Sequence, residues 1–255
     1  MKRYLLSTCI AVVAGISSSS AQIVINTAPA DRPVSFGVRV GGNVSNTSTN
    51  EASLMPAIEM YSPDWRGGVT AGFVADLNIR KYISIQPGIF YSSASHGFKR
   101  VSIGTDAEQP LPFASITSST SVAHYIQVPV MASMKFECGP HINLIGEVGP
   151  YFAWGFGGHE KYTINRYDGN TGNPADRRHK RDYFGKGGVS RRFDWGFKMG
   201  AGVAFGDFII SAHYLAGCRE ILGTEACNDP NAEPMLRAGV KGYNKMWQFT
   251  AGYNF

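Results

Sequence analysis

The chain has 255 residues, of which 30 are glycine, 12% are aromatic and only 17% are charged, with a formal net charge of +5. Charge this sparse falls below the roughly 25% usual for soluble domains, and beyond the N-terminus no run of about 18 apolar residues provides a membrane helix. What these numbers leave open is a soluble β-sandwich or a membrane β-barrel, the two architectures that tolerate so much glycine and aromatic surface in strands.

The first element, "MKRYLLSTCIAVVAGISSSSAQ", places Lys2 and Arg3 before an apolar run to Ile16 and small residues to Ala21. This predicts a signal peptide over 1–21. Cys9 is a poor lipidation site, because most of the apolar core follows it and Thr8 precedes it. A short periplasmic segment over 22–33 and a barrel over 34–255 are then expected. Loss of Lys2 and Arg3 lowers the net charge from +5 to +3. Export excludes nucleic acid as a partner and places the remaining cysteines in an oxidising compartment.

Eight stretches with period-two alternation follow. "VSFGVRV" carries Val34, Phe36, Val38 and Val40 on one face, and "VTAGFVADL" carries Val69, Ala71, Phe73, Ala75 and Leu77. "ISIQPGIFY", "IQVPVMASMKF" and "INLIGEVGPYFAWGF" continue the pattern, then "FDWGFKMGAGVAF", "FIISAHY" and the final "KMWQFTAGYNF". The opposite faces hold glycine and polar residues: Arg39, Asp76, Gln86, Gln127, Lys135, Glu147, Lys198, His213 and Gln248. A soluble barrel turns its apolar face inward and its charges to water. Large apolar groups on one face, with glycine and charges on the other, fit the reverse arrangement of a transmembrane barrel.

The connections alternate in length. Strands two and three, four and five, and six and seven are joined by a few residues each ("IRKY", "ECGPH", "GD"), whereas residues 45–66, 95–120, 158–192 and 219–242 read as long loops. Short turns on the periplasmic side and long loops outside are the expected orientation. Phe36, Phe136, Phe205, Phe208 and Phe255 gather near the short turns, and Tyr91, Trp154, Phe156, Phe193, Trp195 and Trp247 near the loops, as two membrane interfaces select. The expected fold is all-β, an eight-stranded antiparallel up-and-down transmembrane β-barrel whose last strand closes on the first, removing the unpaired edge that lipid cannot tolerate.

The last strand, alternating in aromatics and finishing on Phe255, resembles the assembly signal of bacterial outer-membrane proteins. "SIQPGIFYS", "YIQVPVMASMKF", "GEVGPYFAWGF" and "GFKMGAGVAF" resemble the motifs of the small eight-stranded "porin family" of outer-membrane β-barrel domains over nearly the whole mature chain. The resemblance implies location in the outer membrane of a Gram-negative bacterium, in contact with its lipid, including lipopolysaccharide. Some relatives in this broad family are accessory barrels of protein-secretion or assembly complexes.

Candidate functional residues fall into four groups. Eight strands enclose a lumen just wide enough for side chains to fill. Counted from the short turns, Arg39, Glu147, Lys198 and His213 lie at similar heights inside it. Buried charges must pair, so a Glu147–Lys198 contact is expected, with Arg39 and His213 close by; the competing reading is a narrow ion path. The second group is Arg177, Arg178, His179, Lys180 and Arg181, in a segment (158–192) that holds nine Lys or Arg against four Asp or Glu. It reads as a solvated loop tip, or as a contact for lipopolysaccharide phosphates or an acidic partner. A protein partner at the extracellular loops or the periplasmic turns fits either orientation of such an assembly. Third, Cys218 and Cys227 are candidates for a local disulfide, leaving Cys138 alone. Ser211 and His213 share a strand face, with Asp194 or Asp207 as nearby acids, but no Gly-x-Ser-x-Gly elbow accompanies them. No cofactor motif and no metal spacing is present. A non-enzymatic protein is therefore expected, acting in membrane integrity or in binding through its loops.

Overall fold

A computed structural model describes residues 25–49, 59–106, 109–139, 141–168, 175–184, 190–221 and 242–255. Residues 1–24, including the expected signal peptide, lie outside the described residues. The strands are β1 (Val34–Thr49), β2 (Glu59–Arg80), β3 (Ile83–Asp106), β4 (Gln109–Gly139), β5 (Ile142–Asp168), β6 (Ala175–Asp182), β7 (Phe193–Phe205), β8 (Phe208–Gly217) and β9 (Gly242–Asn254). All neighbours pair antiparallel. Eight strands close a ring in the order β1-β2-β3-β4-β5-β7-β8-β9, and β9 returns to β1. β6 pairs with the far end of β5 and stands outside the ring.

Closure satisfies the backbone where first and last strands meet. Phe255 N–H donates to the Phe36 carbonyl at 2.8 Å, and Val38 lies opposite Tyr253. The two-residue turn Gly206–Asp207 joins β7 to β8 with Gly206 at φ +60°. A two-residue hairpin turn that opens with positive φ matches strand twist, and glycine adopts it without steric penalty.

The alternation sorts the side chains as expected. Val40, Val69, Phe73, Ile89, Val148, Phe197 and Ile210 point outward and are exposed, Phe73 by 64%, while Gln248 on the inner face is 0% exposed. Such an apolar belt is stable against lipid and unstable against water. Phe36, Phe205, Phe208 and Phe255 border it at the short-turn end, and Tyr91, Trp154, Phe156 and Trp247 at the other.

The long connections differ from the expectation. Residues 95–120 are almost entirely strand, since β3 runs to Asp106 and β4 starts at Gln109. β5 likewise continues to Asp168 and forms a hairpin with β6. A spanning strand needs about 9–11 residues, yet β2, β3, β4 and β5 have 22, 24, 31 and 27. β7, β8 and β9, with 13, 10 and 13, end near the belt. One flank of the barrel therefore rises as an open sheet of β2 to β6. Above the belt no lipid demands apolar groups on one face, so the Ser- and Thr-rich β3–β4 segments extend without the alternation that identifies strands lower down.

At the short-turn end, residues 25–33 fold across the mouth. Lys81 N–H donates to the Ala28 carbonyl at 3.1 Å, Asn78 N–H to Pro33 at 2.8 Å, and Asn26 Nδ2 to Glu137 Oε1 at 2.9 Å; Lys81 Nζ pairs with Asp31 at 2.9 Å.

Candidate functional site

The lumen is a stack of polar layers. Nearest the short turns, Asp76 accepts hydrogen bonds from Gln86 Nε2 (2.9 Å), Ser84 Oγ (3.3 Å) and Asn254 Nδ2 (3.3 Å), and Lys135 Nζ lies 3.8 Å from it. Arg39 donates to Asn254 Oδ1 at 2.8 Å and to the carbonyl of Val38 at 3.0 Å. Asn254 thus links the Arg39 cation to the Asp76 anion.

The middle layer joins His213 Nε2 to Glu147 Oε2 at 2.5 Å, and Ser211 to Thr250 at 2.8 Å. Above it, Lys198 Nζ donates to Gln248 Oε1 at 3.0 Å and sits 4.8 Å from the centre of the Phe90 ring. Gln248 Nε2 in turn donates to Gln127 Oε1 at 2.9 Å. Buried charges need such partners, because an unpaired one loses its hydration without compensation. In these layers Arg39 and Lys198 stand with Asp76 and Glu147, and Lys135 approaches Asp76 from the short-turn side.

All four expected lumen residues border one cavity of about 20 Å³, together with Gln86, Phe90, Ser211 and Thr250. The pairing within it is corrected. Glu147 meets His213 and not Lys198. The register explains this: Glu147 stands opposite Gly200, which stands opposite His213. A Cβ on Gly200 would collide with the His213 ring and the Ala212 carbonyl. The missing side chain lets Glu147 reach across β7 to β8. Lys198 faces Gly149 one rung higher and turns to Gln248.

The sequence places Asp76 on the inner face but not in the expected lumen network, although it is the hub of the lower layer. Its inward phase relative to Phe73, Ala75 and Leu77 was the available signal; its partners come from β3 and β9, far away in the chain. Tyr183 and Phe184 were also missed. They follow β6 and enter the upper mouth, where Phe184 meets the Tyr125 ring edge-on at 5.5 Å and Tyr183 stacks on His96 at 6.2 Å. A Cβ on Gly155 would strike the Phe184 ring. His96 lies above the apolar belt, buried and without a hydrogen-bond partner at either ring nitrogen, and burial pushes its pKa down from 6.5 to about 4. A second cavity of about 10 Å³ lies below this cluster, bordered by Tyr125, Gln127, Tyr151, Asp194 and Asn244.

The catalytic candidates are dispersed. Ser211 bonds Thr250 and His213 bonds Glu147. Asp194 accepts from Tyr151 and Asn244 in the upper lumen, and Asp207 sits in the β7–β8 turn. Among the described residues no three His, Cys, Asp or Glu groups gather as metal ligands.

The basic cluster lies on a strand and not on a loop tip. β6 sets Arg177 opposite Ile164, Arg178 opposite Thr163, His179 opposite Tyr162, Lys180 opposite Lys161 and Arg181 opposite Glu160. The expected Cys218–Cys227 bridge falls partly outside the described residues, among which no disulfide is found. Cys218 is an exposed free thiol whose backbone is held at the rim by a 2.8 Å hydrogen bond to Trp195, and Cys227 lies outside the described residues. Cys138 is also free.

Among solved structures, the chain is similar to the attachment invasion locus protein Ail of Yersinia pestis, solved in complex with the heparin analogue sucrose octasulfate (14% identity, 88% of this chain and 100% of that chain covered, TM-score 0.31). It is also similar to Neisserial surface protein A, NspA (11%, 88% and 98%, TM-score 0.35), and to the outer membrane protease OmpT from Escherichia coli (9%, 87% and 96%, TM-score 0.31). No curated protein sequence matches the chain. The profile of the outer membrane protein beta-barrel domain matches residues 19–223. With that match over most of the chain, and a closed eight-stranded ring bearing an apolar belt, the chain belongs to the outer membrane protein β-barrel domain family and resides in the outer membrane of a Gram-negative bacterium.

Proposed function

We propose that this protein is a non-enzymatic surface barrel whose lumen is plugged by its own side chains, and that the open β2–β6 sheet faces outward to bind a ligand or partner and support membrane integrity. The observation that carries this reading is the lumen stack. Arg39, Asp76, Glu147, Lys198 and His213 are each engaged by a neighbour, and the cavities between the layers hold only about 20 and 10 Å³. A site of that size takes about one water molecule, so it supports a scaffold rather than a channel. The separation of Ser211 from His213 by their own partners supports the non-enzymatic reading in the same way. The outward direction of the sheet follows the rule that short turns face the periplasm.

Proteoliposome swelling tests the plug. Vesicles carrying the refolded barrel are expected to exclude small sugars and ions as protein-free vesicles do; swelling at the rate of an open pore overturns the reading. Crosslinking in intact cells tests the role: surface ligands captured through β3–β6 fit it. Stoichiometric capture of a secretion or assembly machine at the short-turn end would make the protein an accessory barrel instead.

A further inference from the structure

Three strands each bring a polar side chain to the cavity of about 10 Å³ in the upper lumen: Tyr125 of β4, Asp194 of β7 and Asn244 of β9. Asp194 is turned inward by the same alternation that turns Trp195 outward. Asp194 and Tyr125 are each only 2% exposed. Oδ2 of Asp194 accepts from the Tyr151 hydroxyl at 3.2 Å and from Asn244 Nδ2 at 3.0 Å. Its Oδ1, the Asn244 Oδ1 and the Tyr125 hydroxyl are buried with no hydrogen-bond partner among the described residues. A buried polar atom without a partner keeps the full cost of its lost hydration. Three such oxygens around one cavity therefore call for a guest.

The charge of the site identifies the guest. Lower in the lumen, Asp76 has Lys135 at 3.8 Å and Glu147 has His213. Asp194 has no ion pair among the described residues. Arg219 acts on it only from a distance, its guanidinium lying over the Phe193 ring at 5.1 Å. A water molecule could satisfy the three oxygens, but it would leave the buried carboxylate uncompensated. A cation satisfies both demands. The donors are hard oxygens of a carboxylate, an amide and a phenol, with Tyr151 and Gln127 on the same wall. Such a set suits alkali and alkaline-earth ions better than transition metals. One carboxylate matches a single positive charge. Calcium needs six or more oxygen ligands and magnesium keeps several waters, whereas this cavity holds one water-sized guest. The ion is therefore monovalent. Phe184, edge-on to Tyr125 and seated over Gly155, roofs the site.

We propose that Asp194, Asn244 and Tyr125 bind one monovalent alkali cation, which ties β4, β7 and β9 together across the upper lumen. The site lies inside the barrel and does not depend on which end faces outward. The test follows urea unfolding of the refolded full barrel in neutral phosphatidylcholine vesicles. Sodium chloride is varied at constant ionic strength, with choline chloride making up the balance. Choline screens charge equally but is too large for the cavity. Once sodium exceeds its dissociation constant, each tenfold increase should lower the wild-type unfolding equilibrium constant about tenfold, the slope for one ion bound only by the folded state. Asp194→Asn keeps the shape, removes the charge and should unfold equally in sodium and in choline. Tyr125→Phe removes one ligand and should shift the sodium response to higher concentration; it decides in the same way if Asp194→Asn does not fold. Resistance to unheated detergent confirms that each variant is folded. Equal unfolding of the wild type in sodium and choline overturns the ion and leaves a bound water only. A sodium response undiminished in either folded variant overturns the site. A larger response to calcium than to sodium at equal ionic strength overturns the monovalent assignment.

Discussion

Replacing Glu147 by alanine is the sharpest perturbation of the lumen. Its carboxylate is the partner of His213 Nε2 at 2.5 Å, and both side chains are less than a tenth exposed. The small cavity it borders also receives Arg39 and Lys198, so its removal leaves positive charge uncompensated in the lumen. Breaking a buried pair from one side destabilises by about 3–5 kcal/mol. The neighbouring Val148 points to lipid and is 54% exposed to the outside. Val148→Ala there loses about 1 kcal/mol of apolar contact, because lipid fills the gap and no cavity remains. Urea unfolding in lipid vesicles, read by the gel shift between folded and unfolded barrel, should separate the two variants by about 2–4 kcal/mol. A double-mutant cycle decides the pairing. Coupling between Glu147 and His213 should exceed coupling between Glu147 and Lys198, with values within the roughly 0.5–3 kcal/mol of contacting residues. Equal stability of Glu147→Ala and Val148→Ala, or stronger coupling to Lys198, would refute the reasoning.

Gly200→Leu should block the reach of Glu147 to His213 and lower stability by about 1–3 kcal/mol, as overpacking does, measured by the same unfolding assay. Phe184→Ala should loosen the upper mouth with a loss of about 3–5 kcal/mol, read as faster hydrogen exchange of the Tyr125 and Gly155 amides. His96 is held neutral by burial, with its pKa lowered from 6.5 to about 4. Its contribution is therefore complete above pH 6.5 and is lost as pH falls toward 4, because the unfolded ring takes up a proton first. His96→Phe should flatten the decline in stability across that window. Trypsin added to intact cells should cleave in the β5–β6 segment and spare Arg80–Lys81; cleavage at Arg80–Lys81 instead reverses the orientation.

The barrel proper was legible because lipid imposes a strict code. Outside a membrane strand every second residue is apolar, so Phe73, Val148 and Ile210 declare their face, and Arg39, Lys198 and His213 are inward by parity alone. The pairing inside was less legible. Parity and height place Glu147 and Lys198 on adjacent strands, but only the register reveals that Glu147 stands opposite a glycine and reaches the second strand over. Asp76 depends on Gln86 and Asn254 from other strands, which no local pattern joins. Above the belt the code lapses, since no lipid there demands apolar groups on every second residue. The Ser- and Thr-rich stretches there read as loops and fold as strands. The basic cluster was found by composition, whereas its place on a strand came from the pairing of β5 with β6.

Electrical recording from the purified wild-type barrel in a planar bilayer tests the plugged lumen most directly. With Arg39, Glu147, Lys198 and His213 crossing a lumen whose two enclosed cavities among the described residues hold about one water each, the expected trace is silent at moderate voltage, while a variant with all four residues changed to alanine conducts if it folds. Steady unitary conductance from the folded wild-type barrel would contradict the plug and make the lumen an ion path.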